Sequence, residues 1–166
     1  MAISQVRSLE GRVKILQGLV RSGIRSPITR AEATWLVSTC PDRDDGCEVA
    51  KVFWYVKANV RYTQDIIGID TYQAAHRTLQ YAGGDCDDHT VLLCSMLSAI
   101  GFQTGFRVIS TTGQSWEHIY ALVGLPKKAP TAVLPLDTTV PSSRPGWEPS
   151  PAQVRAKKDF YPLKLV

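Results

Sequence analysis

The sequence predicts a single α+β domain in which a helical first half packs against a small antiparallel sheet from the second half. Up to about residue 100, apolar residues recur at helical spacing, and three later segments are rich in β-branched and aromatic residues. Between them, an almost uniformly apolar helix begins at Cys86, and we expect it to be buried. Helices followed by strands indicate an α+β fold, and 166 residues with 44% hydrophobic residues suffice for one core.

The first two helices are predicted from periodicity and capping signals. The first is amphipathic and is expected to end at Gly23. Its apolar stripe consists of Ile3, Val6, Leu9, Val13, Leu16 and Val20. Thr29 and Glu32 have the spacing of a capping box, which predicts a second helix from there to about Ser38.

A third helix is predicted where Asp45 and Glu48 repeat the capping-box spacing, and it should end near Asn59. We expect this helix to bury Val49, Val52, Phe53 and Val56. The next three residues, 60–62, are predicted to be extended.

Before the apolar helix, Asp70 is expected to cap a short helix over residues 71–80. Gly83 and Gly84 then interrupt the chain. The apolar helix follows from Cys86 and stops at Gly101.

The second half is predicted to contain three strands, at 106–110, 118–123 and 132–136, separated by turns. From Pro141 the chain is rich in proline and is expected to form an irregular strap over the surface, with a helical turn over 152–158.

Composition and charge exclude several classes of protein. No run of 18 apolar residues is present, so no membrane span is predicted. The N-terminal residues lack the pattern of a secretory signal, so we expect a cytoplasmic protein. Residues 1–30 hold six basic residues and one acid, which we interpret as a solvated helix face. Nucleic-acid binding is a weaker alternative, because no aromatic residue interleaves these charges.

The four cysteines lack the spacing of a zinc ribbon. Cys40 and Cys47 flank an acidic loop and could approach each other, but a cytoplasmic location favours two free thiols. Cys94 lies within the apolar helix and is expected to be a small core residue. A zinc site of Cys40, Cys47, His76 and His89 is disfavoured by its irregular spacing.

The segment GGDCDDH, residues 83–89, has the features of a nucleophile site. The first N–H groups of a helix have no partners within the helix, so they can lower the pKa of a thiol and bind an oxyanion. Cys86 is therefore a candidate nucleophile, and Gly84 could let a substrate approach the sulfur closely. His89 lies on the same helical face, and we expect it to be an exposed first-turn histidine.

A nucleophilic thiol needs a base, and the base needs a group that orients it. His118 begins one predicted strand and Asp137 follows the next, so antiparallel pairing could bring the two side chains together. The plainer alternatives are a core histidine and a turn-capping aspartate.

These segments together resemble the core of the transglutaminase-like superfamily, over about residues 50–140. The motifs that carry the resemblance are Gly84-Asp85-Cys86-Asp87-Asp88 with its apolar helix, Trp116-Glu117-His118, and Leu136-Asp137-Thr138-Thr139. The resemblance implies a papain/transglutaminase-like fold with Cys86 as nucleophile, His118 as general base and acid, and Asp137 as its partner. The short GDCDD form is most similar to bacterial transglutaminase-like cysteine proteinases and to single-domain relatives encoded by tailed phages.

On this basis residues 1–166 are interpreted as one transglutaminase-like domain with three parts. These are a helical N-terminal extension, a catalytic core and a proline-rich strap, at residues 1–45, 46–140 and 141–166.

Two further features of the site remain open at the level of sequence. Asp85, Asp87 and Asp88 crowd the thiol with negative charge; Asp85 could cap the helix, and the three acids are weak candidates for binding calcium, which some relatives require. No other cofactor is expected. Gln80 lies six residues before Cys86, the spacing of the oxyanion glutamine in papain-like proteases, and Tyr81 and Trp116 are rival donors.

The predicted function is a cysteine-dependent amide or peptide hydrolase acting on a protein or peptide substrate. A cross-linking transglutaminase is the alternative if an amine replaces water. A non-catalytic component of a larger assembly such as a phage particle, possessing the fold without turnover, is the second alternative.

Overall fold

A computed structural model describes residues 2–3, 8–65 and 71–165. Within these ranges the chain forms five α-helices, one 3-10 turn and eight strands. The helices are α1 Leu9–Arg25, α2 Pro27–Val37, α3 Asp45–Asn59, α4 Ala75–Tyr81 and α5 Cys86–Ala99. The strands are β1 Ala2–Ile3, β2 Arg61–Tyr62, β3 Thr71–Tyr72, β4 Gly83–Gly84, β5 Thr104–Ser110, β6 His118–Leu125, β7 Ala132–Leu136 and β8 Ala156–Phe160.

The N-terminal helix begins later than its apolar stripe predicts. Ser8 caps α1 by accepting a hydrogen bond from the Gly11 amide, and the helix continues past Gly23 to Arg25. Ile3 instead lies in β1, which pairs antiparallel with β3, so its predicted helical position is wrong. Val6 lies outside the described residues. A cap redirects the chain more strongly than one further apolar residue at helical spacing extends a helix.

The next two helices also begin at caps other than the predicted ones. Ser26 caps α2, with Pro27 at the first helical position, so the predicted capping box at Thr29 is three residues late. Asp44 caps α3 by accepting a hydrogen bond from the Cys47 amide. The four predicted core residues of α3 are buried as expected, Val49, Val52, Phe53 and Val56.

Two short strand pairs precede α5. The predicted helix over 71–80 starts only at Ala75, because Thr71–Tyr72 pair with β1. The predicted cap, Asp70, lies outside the described residues. Gly83–Gly84 pair in parallel with β2, so these residues are held in a ladder immediately before Cys86. The start of α5 is thereby fixed against α3 and the segment that follows it.

The main sheet is antiparallel, with strand order β7-β6-β5-β8, and α5 packs against β6. The three predicted strands are present, and α5 is buried along almost its whole length, between the sheet and the other helices. These findings confirm the predicted α+β class and the burial of the Cys86 helix.

The C-terminal tail corrects a prediction. A 3-10 turn covers Pro151–Gln153, but residues 156–158 of the predicted helical turn belong to β8, which pairs antiparallel with β5. Arg107 on β5 forms ion pairs with Asp159 on β8 and with Glu148 in the tail. The tail thus pairs with the edge of β5 that β6 leaves open, and the local sequence does not reveal this strand pairing.

Two cysteines also differ from prediction. Cys40 and Cys47 form a disulfide bond, with their Cα atoms 5.8 Å apart, so the expectation of two free thiols is wrong. The loop between α2 and α3 returns its two ends to a separation that suits a disulfide. Cys86 and Cys94 are free and buried, as expected for Cys94. No helix among the described residues is long and apolar enough to cross a membrane.

Candidate active site

Cys86 is the first residue of α5, and local sequence explains why the helix begins there. Asp85 is the N-cap: its carboxylate accepts a hydrogen bond from the Asp88 amide, while the Asp88 carboxylate accepts one from the Asp85 amide. This reciprocal capping box satisfies two helix-terminal donors and confirms the predicted capping role of Asp85. It also sets the thiol of Cys86 at the positive end of the helix dipole.

Cys86 is only 9% exposed, and its surroundings both raise and lower the pKa of its thiol. Burial raises its pKa most, and the neighbouring carboxylates of Asp87 and Asp85 raise it further. A hydrogen bond from the backbone of Ile119 and the charge of Arg12 lower it by less. The resting thiol is therefore protonated, as expected from the crowded acids, and a base is needed to activate it.

The three acids around Cys86 have partners of their own. Asp87 forms an ion pair with Arg12 of α1, with an Nη2–Oδ2 distance of 3.4 Å. Asp88 accepts hydrogen bonds from the backbone amide and the side-chain amide of Gln73, at 3.0 and 3.1 Å. Burial, together with the charges of Asp88 and Asp87, raises the pKa of Asp85 to about 9.

These hydrogen bonds and the ion pair bear on the calcium prediction. Among the described residues, no group of three or more His, Cys, Asp or Glu side chains is arranged to hold a metal ion. The carboxylates of Asp85 and Asp88 face backbone amides, and Asp87 faces a guanidinium. These carboxylates therefore already have partners within the chain, and calcium binding by Asp85, Asp87 and Asp88 stays a prediction.

His118 and Asp137 lie together at adjacent strand ends. The Nε2 of His118, the first residue of β6, is 2.6 Å from Oδ2 of Asp137, which directly follows β7. Burial alone would raise the pKa of Asp137, but the hydrogen bonds and charge of His118, with hydrogen bonds from Thr139, outweigh it, and the pKa is lowered. Asp137 is thus held as a carboxylate, which fixes the orientation of the imidazole.

Antiparallel pairing of β6 and β7 explains this contact. The register pairs Ala121 with Leu136, so Asp137 emerges one residue beyond the ladder, opposite Tyr120 and two residues along β6 from His118. Ile119, adjacent to His118, has its backbone against the Cys86 thiol. The start of β6 therefore lies between α5 and the Asp137 turn.

The turn that carries Asp137 is anchored to α3 by Lys57. The Lys57 ammonium donates hydrogen bonds to the backbone carbonyls of Val140 and Ser143 and to the Ser143 hydroxyl, at 2.9, 2.5 and 2.9 Å. The Ser143 hydroxyl in turn donates to the Asp137 carbonyl at 2.5 Å. An ammonium with three donors is well suited to gather the carbonyls of one loop.

His89 differs from prediction: it is 2% exposed rather than solvated. Its Nδ1 lies 2.8 Å from the hydroxyl of Thr138, the residue after Asp137, and its ring faces Tyr62 with centroids 6.4 Å apart. Burial lowers the pKa of His89 to about 4, so the ring is neutral. The first turn of α5 is enclosed by the sheet and the Asp137 turn, which the helix periodicity alone does not show.

The candidate oxyanion and substrate residues are scattered. Gln80 and Tyr81 have exposed side chains at the end of α4, and Tyr81 contacts Arg77. Trp116 is half-buried beside the core, two residues before His118. A Cβ on Gly84 would lie 2.5 Å from the Asp88 Cβ, so the capping acid alone requires glycine there. The predicted close approach of substrate at Gly84 stays a prediction.

Four residues at this site were missed by sequence reasoning: Arg12, Lys57, Tyr62 and Gln73. Each is distant in sequence from the residue that it contacts; Arg12 and Asp87, for example, are 75 positions apart. The local sequence carries no signal for these pairs, although the basic α1 and the acidic start of α5 have complementary charge.

The chain is similar in sequence to one described family and in fold to several solved structures. Residues 34–129 match the Transglutaminase-like superfamily, a range that contains Cys86 and His118 and ends before Asp137. Among curated proteins, none matches.

The solved structures are similar in fold alone. A proposed protease from Parabacteroides distasonis is 15% identical with a TM-score of 0.58, over 74% of this chain and 25% of that chain. LapG from Legionella pneumophila is 20% identical with a TM-score of 0.52, over 76% of this chain and 72% of LapG. A proposed cysteine protease from Cytophaga hutchinsonii is 13% identical with a TM-score of 0.53, over 82% of this chain and 45% of that chain.

Proposed function

Because this chain belongs to the transglutaminase-like superfamily, we propose that it is a cysteine-dependent hydrolase of peptide or amide bonds. In this proposal Cys86 is the nucleophile, His118 the general base and acid, and Asp137 the group that orients His118. The observation that carries the proposal is the 2.6 Å contact between His118 and a buried Asp137, beside the helix start that bears a free thiol.

The hydrogen bonding of His118 supports a general-base mechanism. Since Nε2 of His118 is bonded to Asp137, Nδ1 is the nitrogen that exchanges protons with Cys86. The proton of the thiol passes to Nδ1 as sulfur attacks the substrate carbonyl carbon. The tetrahedral intermediate expels the amine when the C–N bond breaks, and the amine takes the proton from His118. A thioester on Cys86 remains.

Hydrolysis of the thioester uses the same groups. Water gives a proton to Nδ1 of His118 and attacks the thioester carbonyl. The C–S bond breaks, the acid product leaves, and the proton returns to the Cys86 sulfur. If a primary amine attacks in place of water, the product is a new amide, which is the transglutaminase outcome.

The oxyanion of either intermediate needs a donor near the start of α5. The Asp88 amide is bonded to the Asp85 carboxylate and the His89 amide to the Asp85 carbonyl. We assign the Cys86 amide to the oxyanion, because it is the first amide of the helix and belongs to the nucleophile itself.

The test uses a peptide mixture from a digested proteome, with all amines blocked, so that every cleavage creates one new N-terminus. The full chain is incubated with the mixture, and new N-termini are identified by mass spectrometry. The native protein and Cys94→Ala should both release them, because Cys94 lies within α5 away from the helix start. Cys86→Ala and His118→Ala should release none above background.

Three outcomes separate the alternatives. Equal release by Cys86→Ala would contradict the proposal. Incorporation of an added biotinylated alkylamine into the peptides, in place of new N-termini, would favour cross-linking. An inert native protein would favour the non-catalytic assembly component.

A further inference from the structure

A pocket of about 220 Å³ lies on the sheet beside His118, between β5–β6 and the tail that precedes β8. Ile109 and Tyr120 form its floor, and Glu148, Pro149 and Val154 are among the tail residues that enclose it. We propose that this pocket binds an apolar side chain on the leaving-amine side of the scissile bond. The inference deepens the hydrolase function proposed above and rests on it.

The strand register places the pocket next to the imidazole. Ile109 is the ladder partner of His118, and Lys157 is the partner of Ile109 on the other side, so all three side chains share one face of the sheet. Tyr120, two residues beyond His118 on β6, shares this face, and its ring centroid is 5.8 Å from that of His118.

The chemistry of the reaction decides which part of a substrate would reach this pocket. His118 must lie within hydrogen-bond reach of the leaving nitrogen, because it donates the proton that this nitrogen accepts. The Cys86 thiol lies against the backbone of Ile119, at the start of β6. The pocket lies against Tyr120, farther along the same strand. The acyl part is therefore bound on the thiol side, and the residue that carries the amine extends over the pocket.

The lining favours an apolar occupant of limited size. The polar groups of the floor are already paired, since the Glu148 carboxylate accepts from Arg107 and from the Tyr120 hydroxyl. An apolar side chain would gain contact with Ile109, Val154 and Pro149. The charged residues of the lining, Arg155 and Lys157, are exposed to solvent. Whole drug-sized ligands need roughly 300–1,000 Å³, so this smaller volume suits one large side chain.

The pocket is also a fixed part of the fold. Arg107 on β5 holds both Glu148 of the tail and Asp159 of β8. The Arg155 amide donates to the Ser110 carbonyl, where β8 begins to pair with β5. The tail wall is therefore tied to the floor on both sides of the cavity.

The first test measures binding without turnover. Leucinamide and glycinamide, which represent leaving amines with and without an apolar side chain, are titrated into the full chain carrying a 13C-labelled isoleucine methyl. Leucinamide should shift the Ile109 signal and glycinamide should not. Val154→Trp, which fills the pocket, should abolish the shift, while Val133→Trp, on the exposed side of β7, should retain it. An Ile109 signal unmoved by leucinamide would refute the pocket.

The second test uses the blocked peptide mixture and records which residue begins each new N-terminus. Large apolar residues should be enriched, and Val154→Trp should reduce this enrichment about tenfold relative to the native chain and to Val133→Trp. Val154→Ala should extend acceptance to Trp and Phe, which keeps the test decisive should Val154→Trp misfold. A profile unchanged in both Val154 variants would overturn the inference. Leucinamide binding without any peptide cleavage would instead leave the pocket standing and refute the hydrolase.

Discussion

At the scale of single residues, burial raises the pKa of Cys86 most, and two opposing charges then adjust it. Asp87, the next residue in α5, raises the pKa of the thiol, and Arg12 lowers it while forming an ion pair with Asp87. Neither charge contacts a substrate in the mechanism proposed above. Their effect is to set how much work His118 must do when it removes the proton from Cys86.

This balance predicts opposite effects from two charge-removing variants. Asp87→Asn should lower the pKa of Cys86 and speed its alkylation by iodoacetamide below that pKa, whereas Arg12→Gln should slow it. We expect changes of roughly two- to fivefold, because Arg12 is partly exposed and solvent screens its charge. The site of alkylation is identified by mass spectrometry, and Lys14→Gln, an exposed change on the same helix, is the control. Rates that move in the same direction in both variants would contradict this assignment.

His89 is a second residue whose environment has a measurable consequence. Burial lowers its pKa from 6.5 to about 4. Between these two pH values, His89 is neutral in the folded chain and protonated in the unfolded chain. The stability gained from a neutral His89 is complete above pH 6.5 and is lost as the pH falls from there towards 4.

The prediction compares the native chain with His89→Asn, in which the amide can still bond to Thr138. Between pH 6.5 and 4, the free energy of unfolding should fall by about 3 kcal/mol more in the native chain than in the variant. Urea denaturation at each pH measures the difference, and other titrating groups cancel because both proteins contain them. The same replacement at His76 on α4 is the control; parallel curves for native chain and His89→Asn would contradict the prediction.

At the scale of elements, α3 fixes the turn after β7 through one side chain. The Lys57 ammonium of α3 donates hydrogen bonds to Val140 and Ser143 in this turn. The turn contains Asp137, so α3 acts on the orientation of His118 from a distance.

Lys57→Met should remove this anchor. Losing three charge-assisted hydrogen bonds, and leaving carbonyls partly buried without their partner, should lower the free energy of unfolding by about 1–3 kcal/mol. Urea denaturation measures the loss. Lys51→Met on the same helix, which removes only a contact with exposed Thr39, should change stability by less than about 0.5 kcal/mol. Equal losses in the two variants would show that Lys57 has no special role.

At the scale of the whole molecule, residues from the first helix and from the tail complete the half of the fold that contains Cys86. Helix α1 packs against α5 and supplies Arg12, and β8 forms the outer strand of the sheet beside β5. Phe160 and Leu163 from the tail pack on the core that contains Cys86. The division into extension, core and strap stays a prediction, because contacts run across both proposed boundaries.

Deletion of residues 156–166 should therefore destabilise the entire chain. It removes the ladder partner of β5 and uncovers Phe106 and Val108, leaving an unpaired apolar edge that favours aggregation. Size-exclusion chromatography and thermal unfolding are the measurements. Lys158→Ala, which removes an exposed ion pair with Glu10 and a cation–π contact with Phe160, should behave like the native chain. A monomeric truncation with an unchanged melting temperature would contradict the prediction.

Local sequence predicted those features whose causes lie within a few residues. The α+β class, the start of α5 at Cys86, the capping role of Asp85 and the three central strands all follow from periodicity and capping, which act over three or four positions. The helix starts at Ser8, Ser26 and Asp44 differed from prediction, because several polar residues competed for each cap.

By itself, then, the sequence determined the secondary-structure order and the residues able to carry the chemistry, because helix periodicity, caps and thiol or imidazole groups are local properties. Only the tertiary structure decided the Cys40–Cys47 disulfide, the burial of His89, the pairing of Arg12 with Asp87 and the strand β8. Each of these depends on which distant segments meet when the core closes, and burial and charge pairing take their strength from that meeting rather than from neighbours in the chain.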